Sequence, residues 1–361
     1  MRAMMLAIML VTATALCAGA AEEMHSVLPA QAAVCLQADG PIEVDGELSD
    51  AAWQGAIVVG GMTISGSDAL ASNQTEFALL HDAEAFYVGV RCLEENMQGL
   101  KTDVRSRDGS VWQDDVIELF VDLAHDHEHF LQFAANAIAT RFDAKNGAAT
   151  WDADWEAATS IAPDGWSMEL RLPLAEMDTE PPAEGDVWAL NLCRERLAGG
   201  ARELHNWANV EGNFHRPWLF GHVWFAGAEF ELTAEVARAM YAAIDVPVRL
   251  ALRDGYALIG PDGLQEELRY GAMLAAAFAE AGELRAMHEE LAQAYRDQQD
   301  VPFADEFAPL DERYQALQAA ATGEDVSALT WATKTVEIDR LAFELNELRW
   351  KVRVALLLRD A

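Results

Sequence analysis

The chain is short of positive charge. Its 361 residues carry 25 Lys and Arg against 60 Asp and Glu, a formal net charge of -35. Neutralising phosphate backbones needs clustered cations, so nucleic acid is excluded as a default partner, and contact with an anionic membrane surface is disfavoured for the same reason. Cysteine is scarce too, with Cys17 near the N-terminus and then only Cys35, Cys92 and Cys193. Three cysteines with no Cys-x-x-Cys argue against a disulfide framework and a zinc knuckle; buried thiols are expected, with one bridge the alternative. There is no Gly-x-Ser-x-Gly, no phosphate-cradling loop and no His-Glu-x-x-His, so three common catalytic signatures are missing. Beyond the N-terminus no run approaches the roughly 20 apolar residues of a spanning helix. Solenoid repeats and low-complexity tracts are absent.

What is present begins with a leader. Arg2 precedes an apolar run over 4–16, and Ala18-Gly19-Ala20 supplies a small-residue cleavage site. The reading is a signal peptide over 1–20 and an exported product, periplasmic, cell-surface or extracellular, with no membrane insertion after cleavage. The length favours two domains, and the pattern changes near residue 226. Over 28–226, short alternating runs at 76–80, 85–92, 116–122, 130–136, 166–172 and 187–194 are separated by Asp-Gly and Asn-Gly dipeptides. That pattern predicts a mainly β domain, an antiparallel sandwich. Trp166, Met168, Leu170 and Leu172 alternate with Ser167, Glu169 and Arg171, which suits a sheet wet on one side.

Over 227–361 the pattern is helical, after a short β-hairpin at 246–260 that turns at Asp254-Gly255. Leu284, Met287, Leu291 and Tyr295 recur at helical spacing, as do Leu341, Leu345, Leu348, Val352 and Leu356. Pro302 and Pro309 break the segment between, Leu310, Tyr314 and Leu317 continue a shorter helix, and Thr322-Gly-Glu-Asp starts the last one. An antiparallel helical hairpin or small bundle is expected. Its coiled-coil-like stripes are core by default and a self-association surface in the functional reading.

The stretch 111–143 carries the most functional information. Glu118 shares a strand face with Val116 and Phe120, while Ile117, Leu119 and Val121 fill the other. On the next run Gln132 and Asn136 share a face. A carboxylate, an amide, Arg141 and Trp112 at the strand entry would make a polar cleft with an aromatic wall, as a hydroxyl-rich ligand requires.

The β half resembles the family 9 carbohydrate-binding modules and their related exported sandwich domains. The residues that carry this are an Ile-x-Val-Asp-Gly opening leading to a tryptophan at 41–53, a strand after an Asp-containing turn at 80–91, the signature strand at 111–122, later strands at 164–174 and 188–196, and a closing segment from Asn206-Trp-Ala through His215-Arg-Pro-Trp to Phe220-Gly. The resemblance implies a site in which two tryptophans sandwich a terminal sugar ring. Trp112 falls at the first such position and Glu118 at the hydrogen-bonding carboxylate. Arg141 matches the arginine that contacts hydroxyls, Trp207 the second ring with Trp218 as the alternative, and Asn206 a nearby amide. The implied partner is a mono-, oligo- or polysaccharide. Structural calcium is common among such modules, and no ligand set for it is matched here.

Each of these residues has an ordinary structural reading. Eleven tryptophans make any one weak evidence, and Trp53, Trp155, Trp166 and Trp188 are expected in the core. Trp112 could simply cap the sandwich edge, and Glu118 could pair with Arg141 or Arg194 as a structural ion pair. His125, His127 and His129 alternate and could bind a metal, but they lie in a turn between strands, where a solvated loop is the ordinary state. Asp114, Asp115 and Glu118 suggest a glycosidase only if two carboxylates face each other across a cleft, so a non-catalytic module is expected. Two further readings are a b-type haem domain, with Met62, His81 and His215 as candidate ligands, and a structural envelope protein acting through its helices.

Overall fold

The computed structural model describes residues 29–297, 301–323 and 325–359; the expected leader lies outside them. Among the described residues fifteen strands form one continuous sheet: β1 (Ala30–Gln37), β2 (Thr63–Ile64), β3 (Thr75–His81), β4 (Ala85–Leu93), β5 (Val116–Asp122), β6 (Leu131–Asn136), β7 (Arg141–Lys145), β8 (Glu156–Ala162), β9 (Gly165–Pro173), β10 (Val187–Arg196), β11 (Glu203–Asn206), β12 (Gly221–Ala226), β13 (Val248–Leu252), β14 (Gly255–Gly260) and β15 (Gly263–Arg269). The helices are α1 (Ala51–Gly55), α2 (Ala234–Ile244), α3 (Tyr270–Glu280), α4 (Gly282–Asp297), α5 (Ala304–Ala321) and α6 (Ala328–Arg359).

The sheet folds on itself through β1. One layer runs β7-β6-β5-β10-β12 to β1, and the other continues β3-β4-β9-β8. Alternation decides what lies between them. Ile117, Leu119 and Val121, then Leu131 and Phe133, face Val88, Val90, Met168, Leu170 and Leu172 in one buried cluster. Trp53, Trp155, Trp166 and Trp188 are all buried, as expected, and Cys35, Cys92 and Cys193 are free buried thiols. The pairing is antiparallel except at β1, which runs parallel to β12, β13 and β3.

The opening motif is held by one buried acid. Glu169 accepts the Trp53 indole N–H at 2.7 Å and the backbone N–H groups of Asp45 and Gly46 at 2.9 and 2.8 Å. Gly46 has φ +88°, and a Cβ there would meet the Thr159 backbone at 2.4 Å, so the turn tolerates only glycine. A second buried group is ionic. Glu94 accepts from Arg194 at 3.1 Å and from Arg196 at 2.7 and 2.8 Å.

The C-terminal region does not stand apart. The expected hairpin is present as β13 and β14, but β15 extends it and β13 pairs with β1, so these strands continue the main sheet. Helices α3, α4 and α5 pack along α6 as a small bundle, with Leu341, Leu345, Leu348 and Val352 buried. The C-terminal region reaches the sandwich where the Tyr256 hydroxyl of β14 donates to the Gly60 carbonyl at 3.2 Å and Trp331 of α6 lies 2.8 Å from where a Gly61 Cβ would stand. Two expected boundaries move. Pro309 lies inside α5, in its second turn, where the helix continues through it without the backbone bond its nitrogen cannot donate. Ser327, not the Thr322 segment, starts α6, its hydroxyl accepting the Thr330 N–H at 3.1 Å. Thr322 instead ends α5, its hydroxyl donating to the Ala319 carbonyl at 3.0 Å.

Candidate functional site

The site is made by the outward face of β5. Val116, Glu118 and Phe120 point away from the sandwich core, yet all three are buried, because loops from either side cover them. The first loop is held by the acids that precede the strand. Asp114 accepts the N–H groups of Asp103 and Val104 at 2.9 and 2.8 Å and the Asn136 amide at 2.8 Å. Asp115 accepts the N–H groups of Lys101 and Leu197 at 2.9 and 3.0 Å. Both acids are fully buried. They anchor backbone and are not placed to act on a ligand, and Asn136 is used in the same way.

Between these covers a cleft of about 370 Å³ remains open, lined by Trp112, Glu118, Gln132, Phe142, Glu195 and Arg202, with Asn213 and His215 also in its wall. Trp112 stands edge-on to Phe142, ring centroids 5.2 Å apart. Glu118 is 4 % exposed, and its Oε2 accepts the Gln132 amide at 2.7 Å. The antiparallel register of β5 and β10 sets Glu118 opposite Cys193, so Glu195 stands one pleat along on the same face. Burial first, then the charge of Glu195 and a hydrogen bond to it, push the Glu118 carboxyl up to about 8. The raised value favours the protonated carboxyl, a form that can donate as well as accept. Glu195 is ion-paired with Arg202, whose side chain is half exposed at the rim. The cleft offers an aromatic wall, acid and amide groups, and an exposed cation.

Of the five expected site residues, the structure brings two together here, Trp112 and Glu118. Arg141 is on the opposite face of its strand, its guanidinium 5.6 Å from the Trp155 ring centroid. Trp207 is buried in the core against Phe77, centroids 5.4 Å apart. Asn206 is buried with its amide on the Thr63 hydroxyl at 3.0 Å. Trp218 is 61 % exposed and lies outside the cleft wall. Glu118 pairs with neither Arg141 nor Arg194; the latter belongs to Glu94. Glu195, Arg202 and Phe142 were not singled out from the sequence. The alternation of β10 could have marked Glu195, but only its register against β5 puts it beside Glu118.

The proposed haem ligands occupy three different surroundings. Met62 is fully buried in the sandwich core, His81 bonds the Ala226 carbonyl at 3.4 Å, and His215 packs on Phe120 in the cleft wall. For calcium, which takes six to eight oxygen ligands, no three carboxylates converge among the described residues. The 125–129 turn is solvated in part. His129 points outward onto Asp126, whereas His125 and His127 meet His222 of β12. Burial and these two imidazoles push His222 down to about 3, so its ring is neutral.

A family model described as carbohydrate family 9 binding domain-like matches residues 44–228. Among solved structures, a carbohydrate binding module family 9 from Caldicellulosiruptor kristjanssonii in complex with cellotriose is 21 % identical, with a TM-score of 0.42, over 55 % of this chain and 94 % of that one. A structure of such a module from the same organism in complex with glucose is 20 % identical, TM-score 0.41, over 55 % of this chain and 99 % of that one. No curated protein matches the chain. No helix among the described residues is long and apolar enough to cross a membrane.

Proposed function

We propose a function on one premise, that the chain belongs to the carbohydrate family 9 binding domain-like family: it is an exported, non-catalytic carbohydrate-binding protein, and the cleft over β5 is its sugar site. The observation that carries this is the meeting of Trp112 with the Glu118–Gln132 pair in a single cleft of about 370 Å³, a volume suited to one or two sugar rings. The apolar C–H face of a pyranose stacks on an indole, and its hydroxyls need partners that can both donate and accept. A protonated Glu118 does both, and Gln132 presents its amide beside it.

This reading redistributes the roles that the family resemblance implies. The cation that meets sugar hydroxyls is Arg202 in place of Arg141, because Arg202 reaches the cleft and ends in a planar donor fork. The second wall is formed by Phe214 and His215, with no second tryptophan, while Phe142 backs Trp112 in the first. Hydrolysis is not favoured, since Glu118 and Glu195 adjoin one another and do not flank a bond from opposite sides.

Calorimetric titration of the full chain with glucose, cellotriose and a panel of plant and algal oligosaccharides tests the proposal. Saturable binding that is lost in Trp112→Ala and Arg202→Ala is expected. A folded protein that binds none of the panel overturns it.

A further inference from the structure

The turn between β5 and β6 and the middle of β12 meet at a second place, distinct from the sugar cleft. His222 on β12 is 4 % exposed and faces away from the sandwich core. Ala189 of β10 is registered against both His222 and Asp122, so the end of β5 and the turn that follows stand beside that imidazole. The Asp122 carboxylate draws the turn inward by accepting the His127 N–H at 2.7 Å and the Asp126 N–H at 3.3 Å. His125 and His127 both have positive φ, 52° and 59°, a backbone state that non-glycine residues adopt at a cost. The consequence is convergence. One ring nitrogen from each of His125, His127 and His222 lies within 4.8 Å of the others, and His125 Nε2 is 2.8 Å from His222 Nδ1.

We propose that His125, His127 and His222 form a binding site for a divalent transition metal of the zinc class, with water completing a tetrahedral shell. Three imidazoles suit Zn²⁺, Cu²⁺ or Ni²⁺ and are a poor set for calcium, which takes oxygen ligands. Zinc–nitrogen bonds of about 2.0–2.1 Å place the nitrogens of a tetrahedral site about 3.3 Å apart. Reaching that spacing requires His125 and His222, now 2.8 Å apart, to open slightly. The His127 Nδ1 lies 3.4 Å from the Pro217 carbonyl; an N–H donated there leaves the lone pair on Nε2, which is how carbonyls commonly orient metal-bound histidines. The nearby acids are otherwise engaged. Asp122 holds backbone, and Asp126 accepts from Glu128, His129 and the His129 ring. The fourth position is therefore left to solvent or to an incoming ligand atom. A bound ion would tie the β5–β6 turn to β12, residues that are 97 apart for the His125–His222 pair.

Untagged full-length protein, stripped with a chelator, is titrated with Zn²⁺ by calorimetry and with Co²⁺ by visible absorption. One equivalent of Zn²⁺, a tetrahedral Co²⁺ spectrum and no competition from excess Ca²⁺ are expected. His125→Ala and His222→Gln should each weaken binding at least about tenfold, while His129→Ala leaves it unchanged. His125 is only half buried, so its variant keeps the test open if His222→Gln fails to fold. No zinc bound by folded wild-type protein, affinity undiminished in His125→Ala, or displacement by Ca²⁺ would each overturn the proposal. Sugar titrations do not enter, so the result stands independently of the cleft.

Discussion

Gln132 donates its amide to Glu118 at 2.7 Å across the β5–β6 pairing, at the floor of a cleft walled by Trp112. The two side chains are one diagonal step apart, since Gln132 is registered against Phe120 and Glu118 against Ala134. Neither would keep this geometry if one strand slipped by a residue, because a slip of one turns every side chain to the other face.

Trp112 should carry much of the ligand energy while contributing modestly to the fold. It is half buried, and its main ring contact is the edge of Phe142. Trp112→Ala is expected to weaken sugar binding about tenfold or more, the loss usual for an aromatic anchor, with a small change in melting temperature. Trp218→Ala, on an exposed ring outside the cleft, should change neither. Calorimetry and thermal melting of the two variants read this out.

Stability should fall as pH rises through the neutral range. Burial and Glu195 hold Glu118 at about 8 against a free value of 4.5, so the folded state binds more protons than the unfolded between those values. The slope is then negative, up to about 1.4 kcal/mol per pH unit from this group. Glu118→Gln, which mimics the protonated acid, should flatten the dependence and be the more stable protein at pH 8. Urea unfolding of both proteins between pH 5 and 8 tests it. An unchanged slope in the variant would show that Glu118 is not the group responsible.

The buried ionic cluster predicts the opposite trend in acid. Burial alone would raise the Glu94 carboxyl, but hydrogen bonds and charge from Arg196 and Arg194 hold it below the usual carboxylate range. Its contribution is present at neutral pH and lost as pH falls through that lowered value. Glu94→Ala strands a fully buried Arg194 and should cost about 3–5 kcal/mol. Glu203→Ala, which removes a half-exposed partner of Arg196, should cost about 1 kcal/mol or less. Chemical denaturation of the two variants separates them.

Cutting the chain after Ala226 should not release a stable sandwich. It removes β13 from its pairing with β1 and strips Tyr256 and Trp331 from Gly60 and Gly61. The truncated protein is expected to melt well below the full chain or to associate through the uncovered β1 edge. Thermal melting and size-exclusion chromatography decide between these outcomes and an intact monomer.

The strands and their core faces were legible because alternation survives without tertiary information. Ile117, Leu119 and Val121 face inward as the period requires, and so do Trp166, Met168, Leu170 and Leu172. Trp112 and Glu118 were legible because both lie on one short segment. Glu195 and Arg202 were not, since their place in the cleft depends on how β10 registers against β5. Arg141 misled for the converse reason: its odd position on β7 turns it toward Trp155 while Phe142, its neighbour, faces the cleft. His222 gave no local signal at all, because its partners lie in a turn almost a hundred residues earlier.

The parallel pairing of β1 bears on how fast the molecule can form. Residues 30–37 wait for β3 near residue 80, for β12 near 222–226 and for β13 near 248–250. Each closure spends loop entropy before any contact returns it, and chains dominated by such distant pairings fold slowly. Among the described strands, the one that joins the two layers is made before the others and is among the last to be completed. Until then its apolar run, Ala32 to Leu36, remains open to capture by other chains.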